Sequence, residues 1–294
     1  MNVVVITVTH NSERHILRWA AALSVAWCCR ERDRRGTLRA VVVDNDSTDS
    51  TVETLRRDAP WVEVLALRRN VGFAAGCNFG IARAPADAVV IFLNPDVQVR
   101  RDFFTTLQGI RWSSRLAAVG PRVIGTHGEL EQSARRFPSA WTGLAGRQAL
   151  VTKLLPSLGV VRRELLASVE PGARVVDWVS GACMVTTRNV LAGVGGMDER
   201  YFMYWEDADW CRRAARAGFE VRYEPALVVR HDQGASARSH PFRTIWHFHR
   251  SALRYYRRHV SRWPLETALA CVALTMRGTW KAALALPRLL RTPR

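Results

Sequence analysis

Four short apolar stretches in the first hundred residues alternate with segments of helical spacing. The stretches cover residues 3–8, 40–43, 62–67 and 88–93, and each has the length and the β-branched content of a buried strand. Strands that alternate with helices predict right-handed crossovers and one parallel sheet covered by helices. The pattern therefore predicts an α/β fold of the Rossmann-like type, with a mostly parallel sheet flanked by helices.

Two serines are placed to cap helices of this first half. Ser12 precedes the apolar residues of the first helix, and Ser50 with Glu53 has the spacing of a capping box. Farther along, a helix is predicted near residues 103–110 and strands near 117–124, 175–185 and 221–229. Residues 126–168 show no clean period, so we expect a mobile loop there, in which Arg135, Arg136 and Trp141 either close over a ligand or form a solvated surface.

The last fifty residues have a different pattern. Residues 242–259 carry an apolar and a basic stripe at helical spacing, and residues 265–290 form a second apolar segment that Arg277 and Lys281 interrupt. The second segment resembles a helix in a membrane interface, with Trp263 and Trp280 at headgroup level, although a helix packed on the body fits equally well. We expect a domain at residues 1–240 and a basic helical tail at 241–294.

The positive charge of this tail predicts an anionic partner. The net charge is +17, and residues 242–294 hold 11 basic residues against the single acid Glu266. Phospholipid headgroups and nucleic acid are both anionic partners of such a surface, but the accompanying apolar segment makes nucleic acid the less favoured one. Six cysteines without a Cys-x-x-Cys pair, and a first strand that starts at once, predict a cytoplasmic protein, peripheral on the inner face of the cell membrane.

Polar side chains follow all four predicted strands. Because parallel strands present their carboxyl ends at one edge of a sheet, these side chains are expected to line one pocket of the kind that holds a nucleotide. They are Thr9, Asn11, Asp44, Asn70, Asn94 and Asp96. No Gly-rich phosphate loop is present, so a divalent cation, Mg²⁺ or Mn²⁺, is expected on Asp96 to neutralise a diphosphate, with His231 at a later strand end as a second ligand.

A second cluster of carboxylates follows an aromatic run. Glu206, Asp207 and Asp209 open a predicted helix directly after Tyr201–Trp205. Acids are common at helix N-termini, where the dipole favours them. An apolar surrounding also raises the pKa of a carboxylate toward the range of a general base, and this explains the aromatic residues as well.

Taken in order, these motifs resemble the inverting family 2 glycosyltransferases of the GT-A fold, and in particular the bacterial rhamnosyltransferases. The resemblance covers about residues 1–240. It rests on Val-Thr-His-Asn at 8–11, Val-Val-Asp-Asn-Asp-Ser-Thr-Asp at 42–49, Asn-Val-Gly-Phe-Ala-Ala-Gly-Cys-Asn at 70–78, Leu-Asn-Pro-Asp at 93–96, Gly-Gly-Met-Asp-Glu at 195–199, Trp-Glu-Asp-Ala-Asp at 205–209 and residues 231–236.

The resemblance implies a role for each matching residue. Thr9, Asn11 and Asp44 would hold the nucleoside, with Asp44 facing the base. Asn70 and Gly72 would lie near the nucleotide and its sugar. Asn94 and Asp96 stand where the family often has Asp-x-Asp, so one acid of that motif is replaced by an amide.

The resemblance also assigns the reaction. Asp207 would be the catalytic base, with Glu206 beside it, and Trp178, Gly181 and Asp209 would lie on the acceptor side. The implied reaction transfers a sugar, with dTDP-rhamnose as the expected donor, to a hydroxyl of a lipid-linked or cell-envelope glycan with inversion. The alternatives are a sugar-phosphate nucleotidyltransferase, whose Gly-rich loop after strand one is absent, and a non-catalytic scaffold that binds membrane or nucleic acid. The oligomeric state is left open.

Overall fold

The computed structural model describes residues 1–30, 35–138, 172–232 and 241–290. Trp141 and most of the predicted loop at 126–168 lie outside these residues, as do residues 233–236 of the last motif. The described chain contains a central sheet with helices on both faces and two long helices at its C-terminal end.

The first half of the chain forms the predicted alternation of strands and helices. Its strands pair in parallel in the order β3-β2-β1-β4, so the parallel sheet is confirmed for these four. The elements are β1 (Val3–Thr9), α1 (Glu13–Cys28), β2 (Leu38–Asp44), α2 (Thr51–Asp58), β3 (Val62–Ala66), α3 (Phe73–Ile81) and β4 (Val89–Leu93).

The second half extends the same sheet but reverses some strands. The elements are β5 (Val97–Val99), α4 (Phe103–Gln108), β6 (Leu116–Gly125), β7 (Leu130–Glu131), β8 (Ala134–Arg135), β9 (Arg174–Val176), β10 (Trp178–Val179), β11 (Cys183–Thr187), α5 (Arg188–Val194), α6 (Glu206–Arg216) and β12 (Glu220–His231). β11 lies antiparallel between β4 and β6, and β5 lies antiparallel to β12. The sheet is therefore mixed, not wholly parallel.

Alternate residues of the buried strands pack on opposite faces of the sheet. Val3 and Val5 contact the core under α1 and α4, whereas Val4 and Ile6 contact the core under α3 and α6. Both cores contain fully buried aromatic rings, Trp19 on the first face and Trp210 on the second. Two covered faces explain why the strands are apolar throughout instead of alternating with polar residues.

The predicted caps of α1 and α2 are wrong. Neither Ser12 nor Ser50 makes a capping hydrogen bond through its side chain among the described residues. Instead, the Asp49 carboxylate accepts from the Glu13 N–H of α1 at 3.1 Å and from the Thr51 N–H of α2 at 3.1 Å. One acid from the loop between β2 and α2 thus satisfies donors of both helices, which local spacing does not reveal.

Two helices, α7 (Pro241–His259) and α8 (Pro264–Leu290), complete the chain. α7 packs on the body: the Phe202 and His247 rings stack at 4.4 Å, and Ser251 donates to the Met203 carbonyl at 2.9 Å. These contacts join α7 to the segment that precedes α6. No helix in the described part of the chain is both long and apolar enough to cross a membrane.

Candidate active site

At the first two strand ends, Thr9 and Asp44 are neighbours in the β1–β2 register. The Thr9 hydroxyl donates to Asp44 Oδ1 at 2.8 Å, and the Ser47 N–H donates to Oδ2 at 2.9 Å. Both residues are buried, Thr9 fully and Asp44 with 2% exposed. The Thr9 hydroxyl therefore supports Asp44, and both residues present little side-chain surface to a ligand.

The exposed groups of this edge come from the surrounding loops. Asn11 adopts a left-handed backbone (φ 55°), and its side-chain oxygen accepts from the Thr48 N–H at 2.8 Å. Asn70 accepts from the Gly72 N–H at 2.9 Å. Asn45 was not among the predicted site residues, but its buried amide donates to the Gly72 carbonyl at 3.0 Å and so joins the β2 loop to the start of α3. Its position beside Asp44 was the available signal.

The predicted turn at Asn94–Asp96 is present between β4 and β5, closed by a hydrogen bond from the Val97 N–H to the Asn94 carbonyl at 3.1 Å. Pairing of β5 with β12 brings His231 opposite Val97, so His231 Nε2 lies 3.4 Å from Asp96 Oδ1. His231 Nδ1 lies 3.0 Å from Glu131, a carboxylate that the sequence argument did not include. Burial lowers the pKa of His231, but the two carboxylates outweigh it and raise that pKa to about 10.

The fit of a divalent cation can be tested on these groups. Within the described residues, no group of three or more His, Cys, Asp and Glu side chains is arranged to hold a metal ion. Asp96 is 18% exposed and offers one carboxylate, and His231 offers Nε2 if it gives up its proton. This set fits a cation that takes its remaining ligands from a substrate diphosphate, which is how Mg²⁺ is often bound, and not a closed protein site.

Glu206 and Asp207 begin α6, but only one of them is accessible. Glu206 is 5% exposed, and its Oε2 is buried without a hydrogen-bond partner among the described residues. Burial, and next the charge of Asp207, raise its pKa well above the usual value. Glu206 is thus a buried neighbour of Asp207, and its side chain is closed off from solvent.

Asp207 is partly exposed and held by backbone donors. Its Oδ2 accepts from the Gly181 N–H at 2.8 Å, and its Oδ1 accepts from the Ala208 N–H at 2.7 Å. Burial raises the pKa of Asp207, although these N–H groups and the charge of Arg135 act against the rise. A fixed, partly desolvated carboxylate of this kind suits a general base.

The Asn94–Asp96 turn and Asp207 are joined through two consecutive residues. The Asn94 N–H donates to the Ala182 carbonyl at 2.9 Å, and the Gly181 N–H donates to Asp207. Tyr204 lies near both clusters. Burial raises its pKa, the charges of Glu206 and Asp96 raise it further, and a hydrogen bond with Thr244 acts against the rise. The Asn94–Asp96 turn and the Asp207 carboxylate are therefore both connected to the segment that leads into β11, next to the carboxyl end of β4.

The segment before Glu206 has an unusual backbone. Tyr204 (φ 69°) and Trp205 (φ 72°) are consecutive bulky residues in the left-handed region. Side chains of α7 hold this segment in place: the Phe248 ring lies 5.8 Å from the Tyr204 and Trp205 rings. Strain in two neighbouring residues persists only where surrounding contacts impose it, so α7 is part of the site.

Two of the residues expected on the acceptor side are buried. Asp209 is fully buried and pairs with Arg213 at 2.9 Å and with His259 Nε2 at 2.7 Å, so it fixes α6 to α7 and is closed to an acceptor. Trp178 is only 8% exposed, and the Arg135 guanidinium lies 5.0 Å from its ring centre. Gly181, in contrast, does lie at the site, where its N–H contacts the candidate base.

Comparison with known proteins now identifies the family. The model of glycosyl transferase family 2 matches residues 4–145. The chain is 32% identical over 285 residues to the N-acetylglucosaminyl-diphospho-decaprenol L-rhamnosyltransferase of Mycobacterium tuberculosis, with 90% of each chain covered. The chain belongs to glycosyl transferase family 2. It is also similar to the rhamnosyltransferase WbbL of Escherichia coli, at 29% identity over 203 residues, 64% of this chain and 70% of that one.

Solved structures of this glycosyltransferase class share the fold. A mannosyltransferase of Pyrobaculum calidifontis, in complex with GDP-Man and Mn²⁺, superimposes with a TM-score of 0.58 over 100% of this chain and 76% of its own at 17% identity. TarS of S. aureus with UDP-GlcNAc gives 0.54 over 94% and 72% at 14% identity. The predicted GT-A architecture is confirmed.

Proposed function

We propose that this glycosyltransferase moves L-rhamnose from dTDP-rhamnose to a hydroxyl of a lipid-linked or cell-envelope glycan, with inversion at the anomeric carbon. The observation that carries the reaction is the position of Asp207, a partly exposed base candidate joined through Gly181 and Ala182 to the Asn94–Asp96 turn. The choice of rhamnose and of a lipid-linked acceptor is supported by the relatives, of which the mycobacterial one spans most of this chain.

The proposed chemistry is a single displacement. Asp207 takes the proton of the acceptor hydroxyl as its oxygen attacks the anomeric carbon, and the bond from that carbon to the diphosphate oxygen breaks. The nucleoside diphosphate leaves from the opposite face, so the configuration inverts. The carboxylate is prepared for this step because Gly181 and Ala208 fix both of its oxygens.

Asp96 and His231 would hold the divalent cation together with the donor diphosphate. A cation bound there supplies positive charge for the departing diphosphate. Asn94 anchors the turn through its N–H to Ala182, so the carboxylate of Asp96 keeps a constant relation to the sheet edge. The solved mannosyltransferase of similar fold contains Mn²⁺.

We further propose that α8 rests on the membrane that carries the acceptor. Its large apolar residues recur along one side and are exposed: Leu265, Leu269, Val272, Met276, Trp280 and Leu284 are 51–70% exposed. The spacing of three to four residues makes them a single stripe. The net positive charge of residues 242–294 favours anionic headgroups.

The experiment that tests the reaction supplies dTDP-rhamnose and an N-acetylglucosaminyl diphosphate carrying a short isoprenyl chain, with and without Mg²⁺ or Mn²⁺. Rhamnosylated product is expected only with the cation, and its anomeric configuration by NMR should be inverted. Asp207→Asn should lower turnover at least 1,000-fold while dTDP-rhamnose still binds. Near-normal turnover by that variant would remove Asp207 from the role of base, and a retained configuration would refute the single displacement.

A further inference from the structure

Two basic side chains of α8 lie against α7. Arg277 and Lys281 are about one turn apart, so they share a face of the helix, and both are half-buried. The Lys281 ammonium lies 5.9 Å from the centre of the Phe248 ring on α7. Gly278 brings the α8 backbone close to α7, since a Cβ added there would lie 3.6 Å from the His249 ring. The two cations therefore lie along the line of contact between the helices.

The charges of Arg277 and Lys281 are not neutralised within the described part of the chain. Neither side chain forms an ion pair with a carboxylate among the described residues. Burial lowers the pKa of both groups, and the charge of Arg277 lowers that of Lys281 further. Removing a positive charge from water is costly unless an anion compensates it. Two adjacent cations of this kind favour an anionic ligand.

The acids of this region are used at the other end of α7. Arg258 pairs with Asp198 and Asp209, and His259 Nε2 lies 2.7 Å from Asp209 Oδ1. The sequence of α7 contains no acid, and that of α8 contains only Glu266, in its first turn. Glu266 precedes the basic pair by about three turns of helix. The two helices thus supply no anion near the pair, and a ligand is the remaining source.

The basic pair borders the exposed apolar stripe of α8. Trp280 follows Arg277 by three residues, and Leu284 follows Lys281 by three residues. Residues three apart are neighbours on a helix surface, so each cation has an exposed apolar side chain beside it. A ligand with both a phosphate and an acyl chain fits this arrangement, because the phosphate contacts the cations while the chain contacts the stripe. Inorganic phosphate would satisfy only the charges.

We propose that Arg277 and Lys281 bind the phosphate of an anionic phospholipid whose acyl chains contact the exposed apolar stripe of α8. A guanidinium offers paired N–H donors to phosphate oxygens, and an ammonium adds a compact positive charge with three donors. The proposal rests on the proposed placement of α8 on a membrane. It adds to that placement a headgroup site and a preference for anionic lipid.

The test measures sedimentation of the full chain with vesicles of phosphatidylcholine alone and of equimolar phosphatidylcholine and phosphatidylglycerol. The wild-type protein should bind the anionic vesicles more tightly, by about fivefold for each of the two cations. Arg277→Gln combined with Lys281→Gln should remove this preference, whereas Arg277→Lys alone should keep most of it because the charge remains. Calorimetry with dTDP should give the wild-type Kd for every variant, which shows that the variants fold.

The matched control combines Arg243→Gln with Arg250→Gln, which removes the same charge from exposed residues of α7. This control should keep most of the preference for anionic vesicles. An equal loss in the control would indicate diffuse attraction to the surface and overturn the headgroup site. A raised Kd for dTDP in the variant of Arg277 and Lys281 would also overturn it, as would binding of inorganic phosphate, measured by calorimetry, as tight as that of anionic vesicles.

Two further outcomes separate the headgroup site from the proposed membrane contact. Equal binding to both kinds of vesicle that is lost in Leu269→Glu would overturn the headgroup site and leave the contact through the apolar stripe standing. A preference for anionic vesicles that needs Arg277 and Lys281 but is unchanged in Leu269→Glu would refute the contact through the stripe and leave the phosphate contact standing. These measurements report binding alone, so a failure of the proposed reaction would not alter them.

Discussion

Ser251→Ala tests whether α7 fixes the strained segment that precedes Glu206 and the proposed base Asp207. The Ser251 hydroxyl donates to the Met203 carbonyl at 2.9 Å, directly before Tyr204 and Trp205. A left-handed backbone costs about 1–2 kcal/mol for each non-glycine residue, so the pair stores roughly 2–4 kcal/mol. The hydrogen bond contributes about 0.5–1.5 kcal/mol, and a carbonyl left without a partner costs about 1–3 kcal/mol.

The strain energy of the two residues is similar to the energy lost with the hydrogen bond. The substitution should therefore let residues 203–205 leave the strained conformation in a large fraction of molecules. Each 1.4 kcal/mol corresponds to about a tenfold change in rate. We therefore expect kcat to fall about 10- to 100-fold, because the start of α6 and the Asp207 carboxylate move together. The Kd for dTDP should change less than about threefold, since the strand ends that are proposed to hold it are untouched. Product formation at saturating donor and calorimetry with dTDP measure the two quantities.

Thr279→Ala is the matched control. It also removes a hydroxyl that donates to a carbonyl at 2.9 Å, that of Met276, but within α8 and away from the site. Its kcat should equal that of the wild-type protein. The reasoning is refuted if Ser251→Ala keeps kcat within threefold of wild type while its melting temperature falls, because the bond would then stabilise the fold without positioning the base.

The remaining predictions concern a buried acid, two glycines and the exposed helix face. Burial raises the pKa of Glu206 above its unfolded value, so wild-type stability must fall as the pH rises above about 4.5. Glu206→Gln should therefore melt at a higher temperature than wild type at pH 8 but not at pH 4, by about 2–4 °C for each kcal/mol of stability gained. An equal gain at both pH values would contradict this prediction. Gly72 has a φ of +89°, and a Cβ added there would collide with the Phe202 carbonyl oxygen, so Gly72→Ala should abolish activity. Gly128 has a similar φ of +83° but open space around it, so Gly128→Ala should lower only the melting temperature. Leu269→Glu should weaken sedimentation with anionic phospholipid vesicles several-fold without changing dTDP affinity, and retention on an oligonucleotide but not on vesicles would refute the membrane assignment.

The part of the fold that could be predicted is the part encoded by local pattern. Apolar runs of strand length located the four parallel strands, and the polar residues after them located Asp96 and Asn70. The encounter of His231 with Asp96 was also anticipated, because both follow strands. The reversed direction of β11 was not, since nothing in the five residues Cys183–Thr187 encodes which neighbours they pair with.

The burial of individual site residues could not be predicted from the sequence. Thr9, Asp44 and Asp209 are short polar residues next to functional motifs, yet their side chains serve internal hydrogen bonds. These roles depend on distant partners: Thr9 and Asp44 are 35 residues apart along the chain, and Asp209 and His259 are 50 residues apart. For the same reason the contact of Ser251 with Met203 was not predicted. The sequence of α7 shows an amphipathic helix but not that it packs on residues 202–205.

The pairing of β4 with β11 has a consequence for how the enzyme can move. The Asn94 N–H donates to the Ala182 carbonyl and the Gly181 N–H donates to Asp207, so two consecutive residues contact both the turn proposed to hold the donor and the proposed base. Movement of either group away from the other would break its hydrogen bond to this segment. We therefore expect opening for substrate entry and product release to come from other segments, and the spacing between the proposed base and the proposed leaving group to be set when the sheet forms.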